Sequence, residues 1–194
     1  MAMRQFVLAL LLLAATACDL QDAANEESPP ALEHPPAAVD DASRDGLVYG
    51  AVVRQLVEVD HGFGTAPSPY RRVFVTDGVV AHPLQSFGFR PPKQPFDAGV
   101  KSGIVQGFHG SIPLTFVRYR RQVIGGPESR SPGDVCGEGV LVNLGRVNWI
   151  NSAMARVANN RWATGKDGQW LVYTVKLRHG QWRVTGVHGP VLLS

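Results

Sequence analysis

The chain has 194 residues, 44% of them apolar, and two cysteines, Cys18 and Cys136. That suits one ordinary domain with appendages and excludes both a disordered chain and a disulfide-stapled scaffold. The formal charge of +3 conceals a division: residues 19–45 carry Asp19, Asp22, Glu26, Glu27, Glu33, Asp40, Asp41 and Asp45 against Arg44 alone, a net −7, whereas residues 46–194 hold 17 bases and 8 acids, a net +9. Charge asymmetry between parts of a chain points to anionic partners for the basic part.

The N-terminus opens with Arg4 and a ten-residue apolar run, Phe6–Ala15. Ten residues make a signal-peptide core and fall well short of the roughly 20 needed to span a bilayer. Ala15-Thr16-Ala17-Cys18 follows directly. This run resembles the lipobox of bacterial lipoproteins, in which small residues precede a cysteine that receives a thioether-linked diacylglyceryl group and becomes the new N-terminus. The family usually places Leu three residues before the cysteine, where this chain has Ala15. Ala15-Thr16-Ala17 also fits the A-x-A site of ordinary signal peptidase, which would make the protein freely secreted. The resemblance implies export, removal of residues 1–17, and a lipid at Cys18 on the periplasmic or cell-surface side of a bacterial membrane. Cys136 would then have no intramolecular partner.

Residues 18–45, with Pro29, Pro30, Pro35, Pro36 and the acids above, bury too little apolar surface to offset chain ordering, so an extended, disordered tether is expected. One globular domain over residues 46–194 follows, large enough to be stable without staples. Val48, Val52, Leu56 and Val59 predict a helix over Leu47–Val59, with Ser43 or Asp45 as cap and Gly62 as its end. Tyr70–Val80 predicts a strand and Ala81–Pro95 a loop. Asp97 predicts the cap of a second helix carrying Val100, Ile104 and Phe108, although Gly99, Gly103 and Gly107 weaken it. Leu114–Val123 predicts a strand, and Gly125–Gly139 a loop.

Val140–Val147, Ala153–Trp162, Trp170–Arg178 and Trp182–Leu193 predict four consecutive strands in an antiparallel meander. The expected fold is therefore α+β, a curved antiparallel sheet with one or two helices on one face. A two-residue turn at His179-Gly180 would set Leu177 opposite Trp182, Val175 opposite Val184 and Tyr173 opposite Gly186. A turn centred near Lys166 would set Trp162 opposite Trp170 and Val157 opposite Val175. The outer face would then carry Arg156, Lys176 and Arg183 in one row. That row reads either as an anion-binding stripe or as a solvated face with splayed side chains.

Asp60-His61, at the end of the first helix, has the residue types for acid/base chemistry, though a helix C-terminus also favours a histidine for its dipole alone. Cys136 lies in no known nucleophile signature. His34, His61, His82, His109, His179 and His188 show no metal-ligand spacing, and no glycine run matches a phosphate loop, so neither metal nor cofactor is indicated. Arg71 and Arg72 with Tyr70, and Arg118, Arg120 and Arg121 with Tyr119, form two basic segments. Export disfavours nucleic acid and leaves anionic envelope polymers, lipid headgroups or an acidic protein as partners.

Gln169–Val175, with Gly180-Gln181-Trp182-Arg183-Val184, resembles the last hairpin of the nuclear-transport-factor-like, cone-shaped superfamily, and the first helix is similar too. That resemblance implies either a non-catalytic pocket module or a small hydrolase- or isomerase-like enzyme with an Asp–His pair in its cone, for which Asp60 and His61 are the nominees. Fold alone does not choose between them. Replacing Cys18 with Ala is expected to release the protein from the membrane fraction and to abolish a lipid increment in its intact mass. Equal release of both forms, each cut after Ala17, would instead establish free secretion.

Overall fold

Asp40 caps the first helix, its carboxylate accepting the Ser43 backbone N–H at 2.5 Å, and α1 then runs Asp41–Arg54. The computed structural model describes residues 40–62, 64, 66–85 and 91–194. The expected signal peptide, Cys18 and the expected tether up to residue 39 lie outside these, as do residues 86–90 of the expected loop. The helix begins inside the segment expected to be tether, because its first turn has partners on the sheet. Trp149 Nε1 donates to Asp45 at 2.9 Å, and the Arg44 guanidinium lies 3.7 Å from the centre of the Trp149 ring. An aspartate cap and an acid in the first turn add to this start.

Past Arg54 the chain continues as a wide π turn over Gln55–Val59, in which the Asp60 N–H reaches Gln55 O at 2.8 Å. The extra residue per turn rotates the apolar face. Val48, Val52 and Leu56 point inward as their spacing predicts, but Val57 takes the next inward place and Val59 is 57% exposed.

Helix α2 (Ala98–Phe108) is capped by Asp97, which accepts from Val100 N at 2.7 Å. Its glycines have a packing reason. A Cβ on Gly103 would lie 2.7 Å from Ser43 O and 2.8 Å from Gly46 Cα, and one on Gly50 would lie 2.6 Å from Gly107 Cα. The two helices therefore meet backbone to backbone along Gly46, Gly50, Gly103 and Gly107, an approach no side chain allows.

The strands are β1 (Arg72–Thr76), β2 (Leu114–Val117), β3 (Gly139–Asn151), β4 (Met154–Thr164), β5 (Asp167–Arg178), β6 (Gln181–Val187) and β7 (Leu192–Leu193). Their order is β2-β1-β3-β4-β5-β6, with β7 against β5. The fold is α+β, and β3–β6 form the antiparallel meander. The sheet as a whole is mixed, because β1 runs parallel to both β2 and β3, with α2 as the crossover from β1 to β2. The two N-terminal strands are shorter than their apolar runs suggest.

His179 and Gly180 both have positive φ, 49° and 74°, the requirement of a two-residue type I′ turn. Leu177 faces Trp182 and Val175 faces Val184 as expected, but a bulge at Thr174/Val175 sets Tyr173 against Val187 and not Gly186. Between β4 and β5 the turn is only Gly165-Lys166, with a bulge between Trp162 and Thr164. Trp162 therefore faces Gly168, Asn160 faces Trp170, and Val157 faces Tyr173. The displacement from expectation is two residues, so every side chain stays on its expected face.

The sheet is buried on both sides. Val73, Val75, Val140, Val142, Leu144, Val157, Leu171 and Tyr173 pack under the helices. On the other side Phe74, Leu141, Trp162 and Trp170 are covered by Val117 at the end of β2 and by Val123 and Val135 from the segment joining β2 to β3. The free thiol of Cys136 is half-buried against this second core. Gly103→Ala is expected to cost about 1–3 kcal/mol by overpacking, despite alanine's better helix propensity. Gly99→Ala, where a Cβ meets nothing nearer than 3.4 Å, is expected to be neutral or slightly stabilising. Urea titrations of the two variants check the contrast.

Candidate functional site

Polar side chains inside a two-sided sheet need partners, and tracing those partners locates the chemistry. On the helix side, Arg161 of β4 is 3% exposed. Its Nη1 donates to Asp167 Oδ1 at 2.6 Å and to the Tyr70 hydroxyl at 2.5 Å. Its Nε reaches Gln169 Oε1 at 3.0 Å and Asp60 O at 3.2 Å. The Tyr70 hydroxyl in turn donates to Asp167 Oδ2 at 3.0 Å. Gly62, with φ +82°, passes so close that a Cβ there would lie 3.2 Å from Arg161 Nη2.

Asp60 joins this network. Its carboxylate accepts from the Tyr173 hydroxyl at 2.5 Å and from Gln55 Nε2 at 3.1 Å. His61 is 1% exposed. The structure thus brings Asp60 together with Tyr173 and Arg161, but neither Asp60 nor His61 lines either of the two cavities described below. Burial pushes the Tyr70 and Tyr173 phenols above the ordinary 10.0, and for Tyr173 the hydrogen bond to Asp60 adds to the effect.

The row expected from Arg156, Lys176 and Arg183 forms only in part. Lys176 faces Arg183, but Arg156 faces Thr174, while Met154 faces Lys176. The short turn and bulge at the β4–β5 hairpin are the cause. Arg183 is exposed and donates to Gln181 Oε1 at 2.9 Å.

The two basic segments of the sequence separate clearly. Arg71 pairs with Glu138 at 2.6 Å, and Arg72 with Glu128 at 3.1 Å. Arg118 and Arg121 have no acidic partner among the described residues. The chain leaves β2 at Val117, the Tyr119 N–H donates to Gln122 Oε1 at 2.7 Å, and Arg120–Gln122 make one 3₁₀ turn. That turn carries the arginines past the carboxyl ends of the parallel strands β1 and β2. The connection through α2 places β2 on one side of β1 and the next strand, β3, lies on the other, the kind of place where parallel sheets bind ligands.

A cavity of about 310 Å3 lies there, lined by Thr76, Pro91, Arg118, Tyr119, Arg120, Arg121 and Asn143. The Arg118 and Arg121 guanidiniums lie 5.9 and 4.9 Å from the centre of the Tyr119 ring. The Arg120 guanidinium sits 5.1 Å from the Trp162 ring centre, and desolvation there pulls its pKa below the usual arginine value. In the floor, the Thr76 hydroxyl donates to Asn143 Oδ1 at 2.5 Å, Asn143 Nδ2 to Asn160 Oδ1 at 2.7 Å, and Asn160 Nδ2 to Pro83 O at 2.5 Å. A second cavity, about 360 Å3, is lined by Tyr70, Asp134 and Asp167 together with Glu128, Arg130 and Glu138. Most of its acids are already engaged: Glu128 by Arg72, Glu138 by Arg71 and Arg130, and Asp167 by Arg161.

The sequence offered one sign of these polar groups that its periodicity did not use. Asn159-Asn160-Arg161 interrupts a strand whose other residues alternate, and all three are buried. Thr76 and Asn143 gave no comparable sign. No family model matches the chain, and no curated protein or solved structure matches it at a significant level.

The tyrosines give a pH prediction. A phenol whose folded pKa lies above its unfolded value near 10.0 contributes stability that is intact below pH 10 and is lost as pH rises towards the folded value. Stability is therefore expected to fall above pH 10, by about 1.4 kcal/mol per pH unit for each such group. Tyr173→Phe should flatten that slope by about one proton, as measured by urea midpoints between pH 8 and 11.

Proposed function

We propose that this is a lipid-anchored, extracytoplasmic protein whose domain is a non-catalytic binding module for an anionic envelope polymer. The cavity beyond β2, with Arg118, Arg120 and Arg121 at its rim, carries this reading. Three guanidiniums in four residues, two without an acidic partner among the described residues, make a site for negative charge. Its volume lies at the lower end of ordinary ligand pockets. A cavity with a polar floor takes one unit of a polymer into its depth, whereas lipid headgroups in a membrane plane call for a flat basic face. The net +9 of residues 46–194 raises the rate of encounter with any polyanion. Asp60 and His61 support this module structurally, through Tyr173 and the turn after α1. The Cys18 lipid supplies the address.

The test is retention of the full-length mature protein on immobilised dextran sulfate across a salt gradient. Arg118→Gln/Arg121→Gln and Arg71→Gln/Arg72→Gln remove the same charge. The first pair is expected to weaken retention about tenfold, roughly the value of one charge-assisted hydrogen bond, and the second pair far less. Equal losses from both pairs would mean that bulk charge alone is responsible, and the site reading would fail.

A further inference from the structure

The floor of the arginine-lined cavity carries information beyond charge. The hydrogen-bond row that starts at Thr76 runs in one direction, from the Thr76 hydroxyl through Asn143 and Asn160 to Pro83 O. Thr76 spends its only hydrogen on Asn143, so its oxygen offers the cavity an acceptor. Asn143 Nδ2 spends one of two hydrogens on Asn160, so it offers a donor. Thr76 is 7% and Asn143 1% exposed, and both line the cavity. A donor and an acceptor side by side, fixed by a row that cannot reverse at Pro83 O, match a hydroxyl group, which needs one of each. Sulfate, which carries no proton, fills the donor and leaves the acceptor facing a negative oxygen, and inorganic phosphate offers a single hydroxyl with no ring to set beside Tyr119.

At the rim, Tyr119 is 38% exposed, with the guanidiniums of Arg118 and Arg121 near its ring. An aromatic face held in that position suits the C–H face of a pyranose ring. Arg118 and Arg121, which have no acidic partner among the described residues, call for an acid on the same molecule, and Arg120 is braced against Trp162 beside them. We infer that the cavity recognises an acidic saccharide, through hydroxyl contacts to Thr76 and Asn143, ring contact with Tyr119, and its carboxylate or phosphate on the arginines. The inference rests on the anion-binding reading of this cavity and adds the chemistry of the anion's carrier.

Calorimetric titration of the full-length mature protein tests it with five probes: tetragalacturonate, glucose 6-phosphate, maltotetraose, inorganic sulfate and inorganic phosphate. At least one acidic sugar is expected to bind about tenfold or more tightly than either bare anion and than the neutral maltotetraose. Which acidic sugar wins separates a uronate source from a sugar-phosphate source. Tyr119→Leu, at a half-exposed position, is expected to erase that margin by lowering acidic-sugar affinity more than sulfate affinity. Thr76→Val, nearly the same in shape, should reduce it as well. If bare anions bind as tightly as both acidic sugars, or if Tyr119→Leu leaves the margin unchanged, the saccharide inference is overturned while the anion site stands. If no probe binds and dextran sulfate retention is indifferent to Arg118→Gln/Arg121→Gln, the anion reading itself falls.

Discussion

A guanidinium that is 3% exposed has no water to satisfy its five N–H groups, so protein groups must converge on it from every side. Arg161 ties two parts of the chain that are distant in sequence, the turn after α1 through Asp60 O and the approach to β1 through Tyr70, to its own hairpin, where it meets Asp167 and Gln169 of β5. Breaking a buried pair of this kind typically costs about 3–5 kcal/mol, because the remaining charge is stranded. The π turn is part of the same arrangement. It swings Asp60 towards the Tyr173 hydroxyl instead of letting the helix end a residue earlier.

With Tyr70 fixed by Arg161, the alternation of β1 decides the opposite face. Val73 and Val75 face the helices, so Phe74 and Thr76 must face away. Across the sheet this produces two neighbouring rows of different character. Phe74, Leu141 and Trp162 form an apolar one, aligned by register. One rung along, Thr76, Asn143 and Asn160 form a polar one. Buried amides without partners would cost several kcal/mol, and the one-way row to Pro83 O removes most of that cost. It leaves hydrogen-bonding capacity at Thr76 and Asn143, where the row borders the cavity. The scaffold that keeps the core dry and the floor that can receive a ligand are thus successive rungs of one sheet.

Local features were legible in the sequence and distant ones were not. The type I′ turn at His179-Gly180, the Asp97 cap, the inward faces of both helices and the C-terminal meander all rest on contacts within a few residues, and periodicity and turn chemistry report them. The glycines of α2 weakened its prediction because their reason lies on the other helix, at Gly46 and Gly50. The parallel placement of β1 depends on α2 as a crossover, which no short window contains. Two bulges moved registers by one or two residues and broke up the expected row of Arg156, Lys176 and Arg183. Asp60-His61 stood out as a pair, but the phenol that bonds Asp60, Tyr173, lies 113 residues away. Counting arginines could not separate Arg71 and Arg72 from Arg118 and Arg121 either. Glu138 and Glu128, on a loop that folds back across β1, make that distinction.

The rim of the cavity follows from the same logic of enforced geometry. The 3₁₀ turn that follows β2 folds the chain back on itself, so that the Arg118 and Arg121 guanidiniums lie 5.9 and 4.9 Å from the Tyr119 ring centre. Arg120 is braced by Trp162, whose own Nε1 donates to Gly133 O at 2.9 Å. Side chains held this way lose less rotamer freedom on binding than free ones, so more of the contact energy remains as affinity. The arrangement also has a cost when the cavity is empty, since like charges this close repel each other and burial disfavours the charged form of Arg120. An anion held there, as proposed, would relieve the repulsion. Occupancy of the cavity and stability of the segment covering the second core are therefore linked, and a ligand that binds the folded state must raise the stability of Val117, Val123 and Val135 over Trp162 along with its own occupancy.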